Sequence, residues 1–305
     1  MATRKHIIEV DGHRLSLSNL DKVLYPTTGF LKGQVIDYYA RIAPVMLPHL
    51  KDRPVTLKRY PDGVESSFFF EKNCPGHRPR WVSTATVRYS EGESVRHCLI
   101  NERAALVWVA NLAAIELHTS LARAEAIDRP TMLAFDLDPG PPASLRDCLP
   151  IALRLHAMFD ELGLQSFPKT SGGKGLHVYV PLNTPTNYDA SKQFAYAVAL
   201  TLEKHLPDAV TSNMSKAKRT GKVFVDWSQN SQHKTTVCVY SLRAQPRPTV
   251  SAPVTWEEIE HAVADDDAES LVFEAEAMLQ RVEERGDLFA PVLNVKQKLP
   301  DLGGI

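Results

Sequence analysis

Apolar residues recur at helical spacing at Val35, Tyr38, Tyr39, Ile42, Val45, Met46 and Leu50, and again at Phe194, Val198, Thr201, Leu202 and His205. Each series predicts a helix with one face on a sheet. A third helix is predicted over Leu149 to Leu162, closed by Gly163, because glycine tolerates the left-handed position that ends helices. The segment Trp256 to Arg285 reads as acidic helices. Short apolar runs predict strands at Val55 to Tyr60, Phe68 to Phe70, Met132 to Asp136, Leu176 to Pro181, Lys222 to Trp227 and Thr235 to Tyr240. At least one of Phe68, Phe69 and Phe70 is expected in the core. Strands alternating with helices give an α/β or α+β fold, mixed sheets flanked by helices. No repeat or clean linker interrupts the chain. The expectation is therefore one two-lobed domain over 1–305, with a core of about 10–290 and a central cleft.

Of the 305 residues, 44% are hydrophobic and 23% charged, which excludes a disordered, collagen-like or coiled-coil chain. The net charge of -1 points to no partner, but its distribution does. Between Ser212 and Arg247 lie Lys216, Lys218, Arg219, Lys222, Lys234, Arg243 and Arg247 against one acid, Asp226. That pattern suggests an anion-binding groove around a special carboxylate, or a solvated basic face. From Glu257 to Asp287 the balance reverses. This acidic stretch reads as a solvated helical face in preference to a docking surface for a basic partner. Cys74, Cys98, Cys148 and Cys238 form no C-x-x-C pair and read as reduced thiols, with no disulfide scaffold or zinc site. The segment Met1 to Leu15 lacks the apolar core of a secretory signal, and no apolar run is long enough for a membrane span, so the cytoplasm is the expected compartment.

The predicted strand beginning at Met132 runs into Asp136-Leu137-Asp138-Pro139-Gly140. Alternation along a strand puts Asp136 and Asp138 on one face. Two carboxylates crowded at a strand end repel each other, and a divalent cation relieves that cost. A polar turn after a core strand would look the same. A second apolar strand ends in Asp226, inside the basic stretch, and three aspartates on two strands can hold two metal ions. The alternative for Asp226 is an ion pair with a neighbouring Lys or Arg. Third, Thr170-Ser171-Gly172-Gly173-Lys174-Gly175-Leu176-His177 opens a strand. Its glycines allow backbone N–H groups to converge on a phosphate, although the spacing is not that of a Walker loop. Alone, such a stretch is a turn, and His177 alone is a hydrogen-bonded core histidine.

The three segments in this order, Asp136-Leu137-Asp138, Ser171 to His177, and Phe224-Val225-Asp226-Trp227-Ser228-Gln229-Asn230, resemble the motifs of archaeo-eukaryotic primase-type polymerases. The resemblance is strongest to the polymerase domain of bacterial DNA ligase D, which acts in non-homologous end joining. It extends to Ser18-Asn19, Lys22 to Pro26, Leu57 to Gly63, Phe69 to Lys72, Glu116-Leu117-His118 and Tyr240 to Arg243. What it implies is a primase-like catalytic core and a templated nucleotidyl transferase that extends a 3′-hydroxyl and prefers ribonucleotides. By the same resemblance, Asp136, Asp138 and Asp226 would be catalytic and would bind two Mn²⁺ or Mg²⁺ ions. Ser171, Lys174, Gly175, His177, Lys234 and Arg243 would hold the triphosphate of an NTP or dNTP, and Lys58, His118 and Gln229 would line the nucleotide pocket. Phe69 and Phe70 would stack on template bases, Asn19, Lys22 and Lys32 would take the 5′-phosphate beyond a gap, and Arg219 would help place template or primer. DNA with 5′-phosphorylated ends, Ku and a DNA ligase would be the partners, in a nucleoid-associated setting.

The chain carries no Lys-x-Asp-Gly adenylation motif, since Glu9 stands where the lysine belongs before Val10-Asp11-Gly12, and Lys58 to Gly63 has the wrong spacing. No His-x-Asp phosphoesterase pattern occurs either. The expectation is a stand-alone polymerase of an end-joining operon or one domain of a larger ligase. Two other functions remain open: a primase starting chains de novo, and a non-catalytic module that binds DNA ends.

Overall fold

A computed structural model of the chain describes residues 5–88, 92 and 94–300. The reading of the N-terminus as free of a signal bears partly on residues 1–4, which lie outside the described residues. Two compact units emerge, each assembled from three segments: Met1–Ser120, Val237–Ser251 and Phe273–Asp287 in the first, Leu121–Thr236, Ala252–Val272 and Leu288–Ile305 in the second. Among the described residues no helix is long and apolar enough to cross a membrane.

In the first unit, a hairpin pairs Lys5–Val10 with His13–Ser18 through Asp11-Gly12, both at positive φ as a tight primed turn requires. The helix Lys32–Leu50 buries Val35, Tyr38, Tyr39, Ile42, Met46 and Leu50, as the periodicity predicts. Strand Val55–Arg59 is the hub of this unit's sheet, antiparallel to Ala114–Thr119, Phe69–Glu71 and Ser94–Cys98, the last of which also pairs Thr84–Arg88. The cysteine expectation fails in part. Cys74 and Cys98, both buried, form a disulfide with Cα atoms 4.9 Å apart, while Cys148 and Cys238 are free and buried. The backbone N–H of Cys74 donates to Arg96 O, which lays the two distant positions side by side.

The second unit is built on a five-stranded mixed sheet in the order Phe167–Thr170, Leu176–Pro181, Met132–Pro139, Val223–Asp226, Val210–Thr211. All neighbours are antiparallel except the last pair. Helix Leu145–Glu161 packs on one face, where Phe159 meets Phe135 at 5.2 Å between ring centroids. It starts before the predicted Leu149, because Asp147 accepts the backbone N–H of Ser144 and caps an earlier first turn. It ends as expected, with Gly163 at φ +69. Helix Tyr188–His205 also contacts the sheet. The predicted strand over Thr235 to Tyr240 shortens to Thr236–Val237. The acidic stretch is divided between the units, with helix Trp256–Ala264 in this one and helix Ala275–Arg285 in the first. Most of its carboxylates are exposed, but Asp287 accepts hydrogen bonds from the Tyr240 hydroxyl and the His49 ring.

Candidate active site

Strand register in the second unit places four residues in one transverse row. Lys169 is the cross-strand partner of His177, His177 of Asp136, and Asp136 of Asp226. Directly opposed residues of an antiparallel pair project to the same face. All four therefore share the face opposite Phe135 and the Leu145–Glu161 helix. Lys169 Nζ lies 3.1 Å from His177 Nδ1, and His177 Nε2 lies 3.3 Å from Asp136 Oδ1. Asp138, two residues on, faces the same way, as alternation predicts.

Each acid has its own protein partner. Asp226 Oδ1 accepts from the Ser228 backbone N–H and hydroxyl, at 2.9 and 2.5 Å, and Oδ2 accepts from Gln229 Nε2 at 3.0 Å. Arg219 lies on the ring of Phe224, the cross-strand partner of Asp138, and its Nη1 reaches Asp138 Oδ2 at 3.3 Å. Burial raises the Asp138 pKa, and the charges of Asp136 and Asp226 raise it further against the opposing pull of Arg219 and Lys174. With the acids so engaged, no group of three or more His, Cys, Asp or Glu among the described residues is gathered as metal ligands. The donor set itself fits a hard divalent cation: it is all oxygen, its negative charge is concentrated on one sheet face, and Asp138 bears the cost of that concentration. Gln229 Oε1, beside Asp226, is buried with no hydrogen-bond partner among the described residues.

The glycine-rich turn folds around its serine. Ser171 Oγ accepts the N–H groups of Gly173 and Gly175, both at 3.1 Å, so these amides converge on a hydroxyl. A Cβ on Gly175 would sit 2.1 Å from Leu137 O, which explains glycine there: the turn lies directly against the aspartate strand. Lys174 is exposed, and its charge reaches Asp138. Lys234 is exposed on the turn after Ser231.

In the first unit, Phe70, Lys58 and Glu116 form a second cross-strand row. Glu116, 1% exposed, receives His118 Nε2 at 2.9 Å, the Ala244 N–H at 3.1 Å and Lys58 Nζ at 3.4 Å, with Arg243 Nε at 3.5 Å. Burial alone would raise its pKa, but the hydrogen bond from His118 and the charges of Arg243, His118 and Lys58 hold it well below the usual carboxylate range. Burial lowers the His118 pKa despite Glu116. Lys58 Nζ also lies 4.4 Å from the Phe68 ring centroid, and the Arg59 guanidinium 5.0 Å from that of Phe69. Phe68, Phe69 and Phe70 are all exposed, at 49, 43 and 56%, which corrects the expectation that one fills the core. They lie at and just before the short strand Phe69–Glu71, which pairs with the sheet while leaving these rings uncovered.

Asn19, Lys22 and Lys32 are gathered in the same unit. Asn19 takes φ +54, its carbonyl accepts the Lys22 N–H, and the Lys22 carbonyl accepts the Lys32 N–H. Lys22 pairs with Asp62 at 2.6 Å. Lys32 is buried and donates to Ser18 O at 2.7 Å. Burial, then the charges of Lys22 and Arg59, lower its pKa to about 8.

Three residues of these clusters escape sequence reasoning. Glu116 stands within a motif but gives no sign of being a hub for Lys58, His118 and Arg243. Lys169 looks like a surface lysine beside Pro168, because its place opposite His177 is set by strand pairing and leaves no local signal. Asn230, fully buried, accepts the Ala134 N–H at 2.9 Å and donates to Ala134 O at 2.8 Å, replacing a backbone neighbour on the aspartate strand.

Comparison with known proteins gives these clusters a context. A family model described as "LigD, primase-polymerase domain" matches residues 31–289. The chain is 44% identical over 281 residues to the multifunctional non-homologous end joining protein LigD of Mycolicibacterium smegmatis, covering 92% of this chain and 36% of that protein. Against the bifunctional LigD of Bacillus subtilis it is 29% identical over 274 residues, covering 90% of this chain and 43% of the relative. The chain thus spans well under half the length of these curated relatives. Among solved structures, the polymerase domain of Mycobacterium tuberculosis ligase D in complex with DNA superposes with a TM-score of 0.85 at 40% identity, covering 93% of this chain and 99% of that one.

Proposed function

Because this chain belongs to the LigD primase-polymerase domain family, we propose that it is a nucleotidyltransferase that adds templated nucleotides to a 3′-hydroxyl, filling gaps and extending ends in non-homologous end joining, with ribonucleotides preferred. The single observation that carries this reading is the convergence of Asp136, Asp138 and Asp226 on one sheet face. Three acids crowded there serve no phosphate-binding purpose, since they repel phosphate. Asp136, Asp138 and Asp226 would hold two divalent cations, Mn²⁺ or Mg²⁺, which supply activation of the hydroxyl and neutralisation of charge at the transferred phosphoryl group. Ser228 and Gln229 orient the Asp226 carboxylate, each donating to one of its oxygens.

The chain's own cations would do the rest of the electrostatic work. Ser171, Lys174, Gly175, His177, Lys234 and Arg243 are assigned to the triphosphate, where donors fixed in advance stabilise charge that builds on phosphate oxygens. Lys58, His118 and Gln229 are assigned to the nucleoside, with Gln229 Oε1 offering an acceptor that no described residue uses. Phe69 and Phe70, exposed beside Lys58 and Arg59, suit stacking on template bases. Asn19, Lys22 and Lys32 suit a 5′-phosphate, and Arg219 suits placement of template or primer. Residues 1–305 would make up one catalytic domain, working at DNA with Ku and a DNA ligase.

The test is primer extension on a gapped duplex with a downstream 5′-phosphate, comparing each NTP and dNTP with Mn²⁺ or Mg²⁺, beside Asp136→Ala. Templated addition that favours NTPs and disappears in the variant supports the proposal. Synthesis without a primer would make the chain a de novo primase. Tight binding that needs the 5′-phosphate, with no addition at all, would make it an end-binding module.

A further inference from the structure

We infer that Lys169 is a positioning residue for His177, holding the imidazole in the tautomer that presents an Nε2–H to the anionic side of the site. This deepens the proposed function, since it rests on His177 as a triphosphate ligand. Lys169 is 0% exposed on strand Phe167–Thr170, directly opposite His177, and its ammonium lies 3.1 Å from Nδ1. A lysine ammonium has three donors and no acceptor, so Nδ1 must accept. In a neutral imidazole the proton then resides on Nε2, which faces Asp136 Oδ1 at 3.3 Å.

Asp136 by itself favours the same tautomer, but only while its carboxylate is turned to the histidine. When Asp136 is engaged with a cation, Lys169, on the other side of the ring, still fixes the proton. The lysine is itself held in place: its ammonium lies 5.6 Å from the centroid of the Tyr179 ring, whose hydroxyl hydrogen-bonds Thr236 at 2.9 Å. The result is an imidazole with its donor aimed along the Lys169–His177–Asp136–Asp226 row before any anion arrives. A donor aimed in advance avoids the reorganisation that weakens such bonds in water.

The experiment combines nitrogen NMR of the ¹⁵N-histidine-labelled chain with primer-extension kinetics, using His177→Gln to assign the His177 signals. The expected spectrum, recorded with Mg²⁺ added to engage Asp136, shows a bare, accepting Nδ1 and a protonated Nε2, with Nδ1–H appearing in Lys169→Met. Lys169→Met should raise the KM for NTP by roughly 10- to 100-fold, the range for losing a hydrogen bond to a charged acceptor, with a smaller effect on kcat. In a His177→Ala background the same change should add little, because Lys169 acts through the ring. A protonated Nδ1 in the unsubstituted chain overturns the inference, even if Lys169→Met does not fold. Losses that multiply in the double variant overturn it as well. Absence of extension by the unsubstituted chain would instead sink the polymerase reading, and the tautomer would still be read from the spectrum.

Discussion

Asp136 and Asp226 are direct cross-strand neighbours, so two carboxylates far apart in sequence project side by side from one sheet. With Asp138 on the same face, the charge is a standing cost to the fold in the absence of a cation. Burial and the two neighbours raise the Asp138 pKa, so the folded chain binds that proton more readily than the unfolded chain. Stability on this account increases as pH falls through the raised pKa and is lost above it. Asp138→Asn should therefore melt at a higher temperature than the unsubstituted chain at pH 7 in chelator, with the two converging in acid, while nucleotide addition disappears. Thermal scans across pH check this, and a lower Tm at pH 7 would count against it.

Glu116 behaves in the opposite way. Its pKa is held below the carboxylate range, so its stabilisation is present above about pH 4.5 and is lost as pH falls further. Removing it leaves Lys58, His118 and Arg243 facing one another without a buried counter-charge. Glu116→Ala should cost about 3–5 kcal/mol in urea denaturation, the range for breaking a buried ion pair. Glu116→Gln, which keeps the shape, should fold but bind NTP less tightly. A cost below about 1 kcal/mol for Glu116→Ala would show that the cluster is solvated.

Lys32 supplies a pH test within reach of ordinary buffers. With its pKa lowered to about 8, it is mostly charged at pH 7 and loses the charge as pH rises through 8. The affinity advantage of a 5′-phosphorylated gap over a 5′-hydroxyl gap should shrink as pH rises from 7 to 9, measured by fluorescence anisotropy at fixed salt. Fold stability should move the other way between about pH 8 and 10.5, because there the unfolded chain binds the proton more tightly. A phosphate preference independent of pH would remove Lys32 from that site.

Phe69 and Phe70 separate function from folding. Both are exposed, so Phe70→Ala should change stability by no more than about 0.5 kcal/mol. Stacking on a base contributes about 1–3 kcal/mol, so the same variant should weaken binding to single-stranded template by roughly 5- to 150-fold. Equal binding by Phe69→Ala, Phe70→Ala and the unsubstituted chain would show that the rings meet something other than bases.

Local patterns read well from sequence because the physics is local. A period of two put Asp136 and Asp138 on one face, and a helical period marked the buried side of Lys32–Leu50. What was hidden depends on which strands become neighbours. Nothing near Lys169 announces His177 across the ladder, and nothing near Glu116 announces Arg243. The Cys74–Cys98 bond and the exposure of Phe68, Phe69 and Phe70 follow from tertiary pairing in the same way. Hydrophobicity identifies a phenylalanine as apolar but does not say that its strand leaves the ring uncovered.

Asn230 sets how that geometry is kept. The strand Val223–Asp226 leaves the sheet at Asp226, and the next rung on Met132–Pro139 is closed by the Asn230 amide, which takes both backbone groups of Ala134. An amide at that rung acts as a register lock. Because side chains alternate, a slip of one residue would turn Asp226 to the opposite face and bring Val225 or Trp227 round in its place. The spacing between the acids is thus governed by a neutral side chain whose own hydrogen bonds go to the backbone of Ala134 and Trp227, and the accuracy of the site is a property of the ladder as much as of the carboxylates.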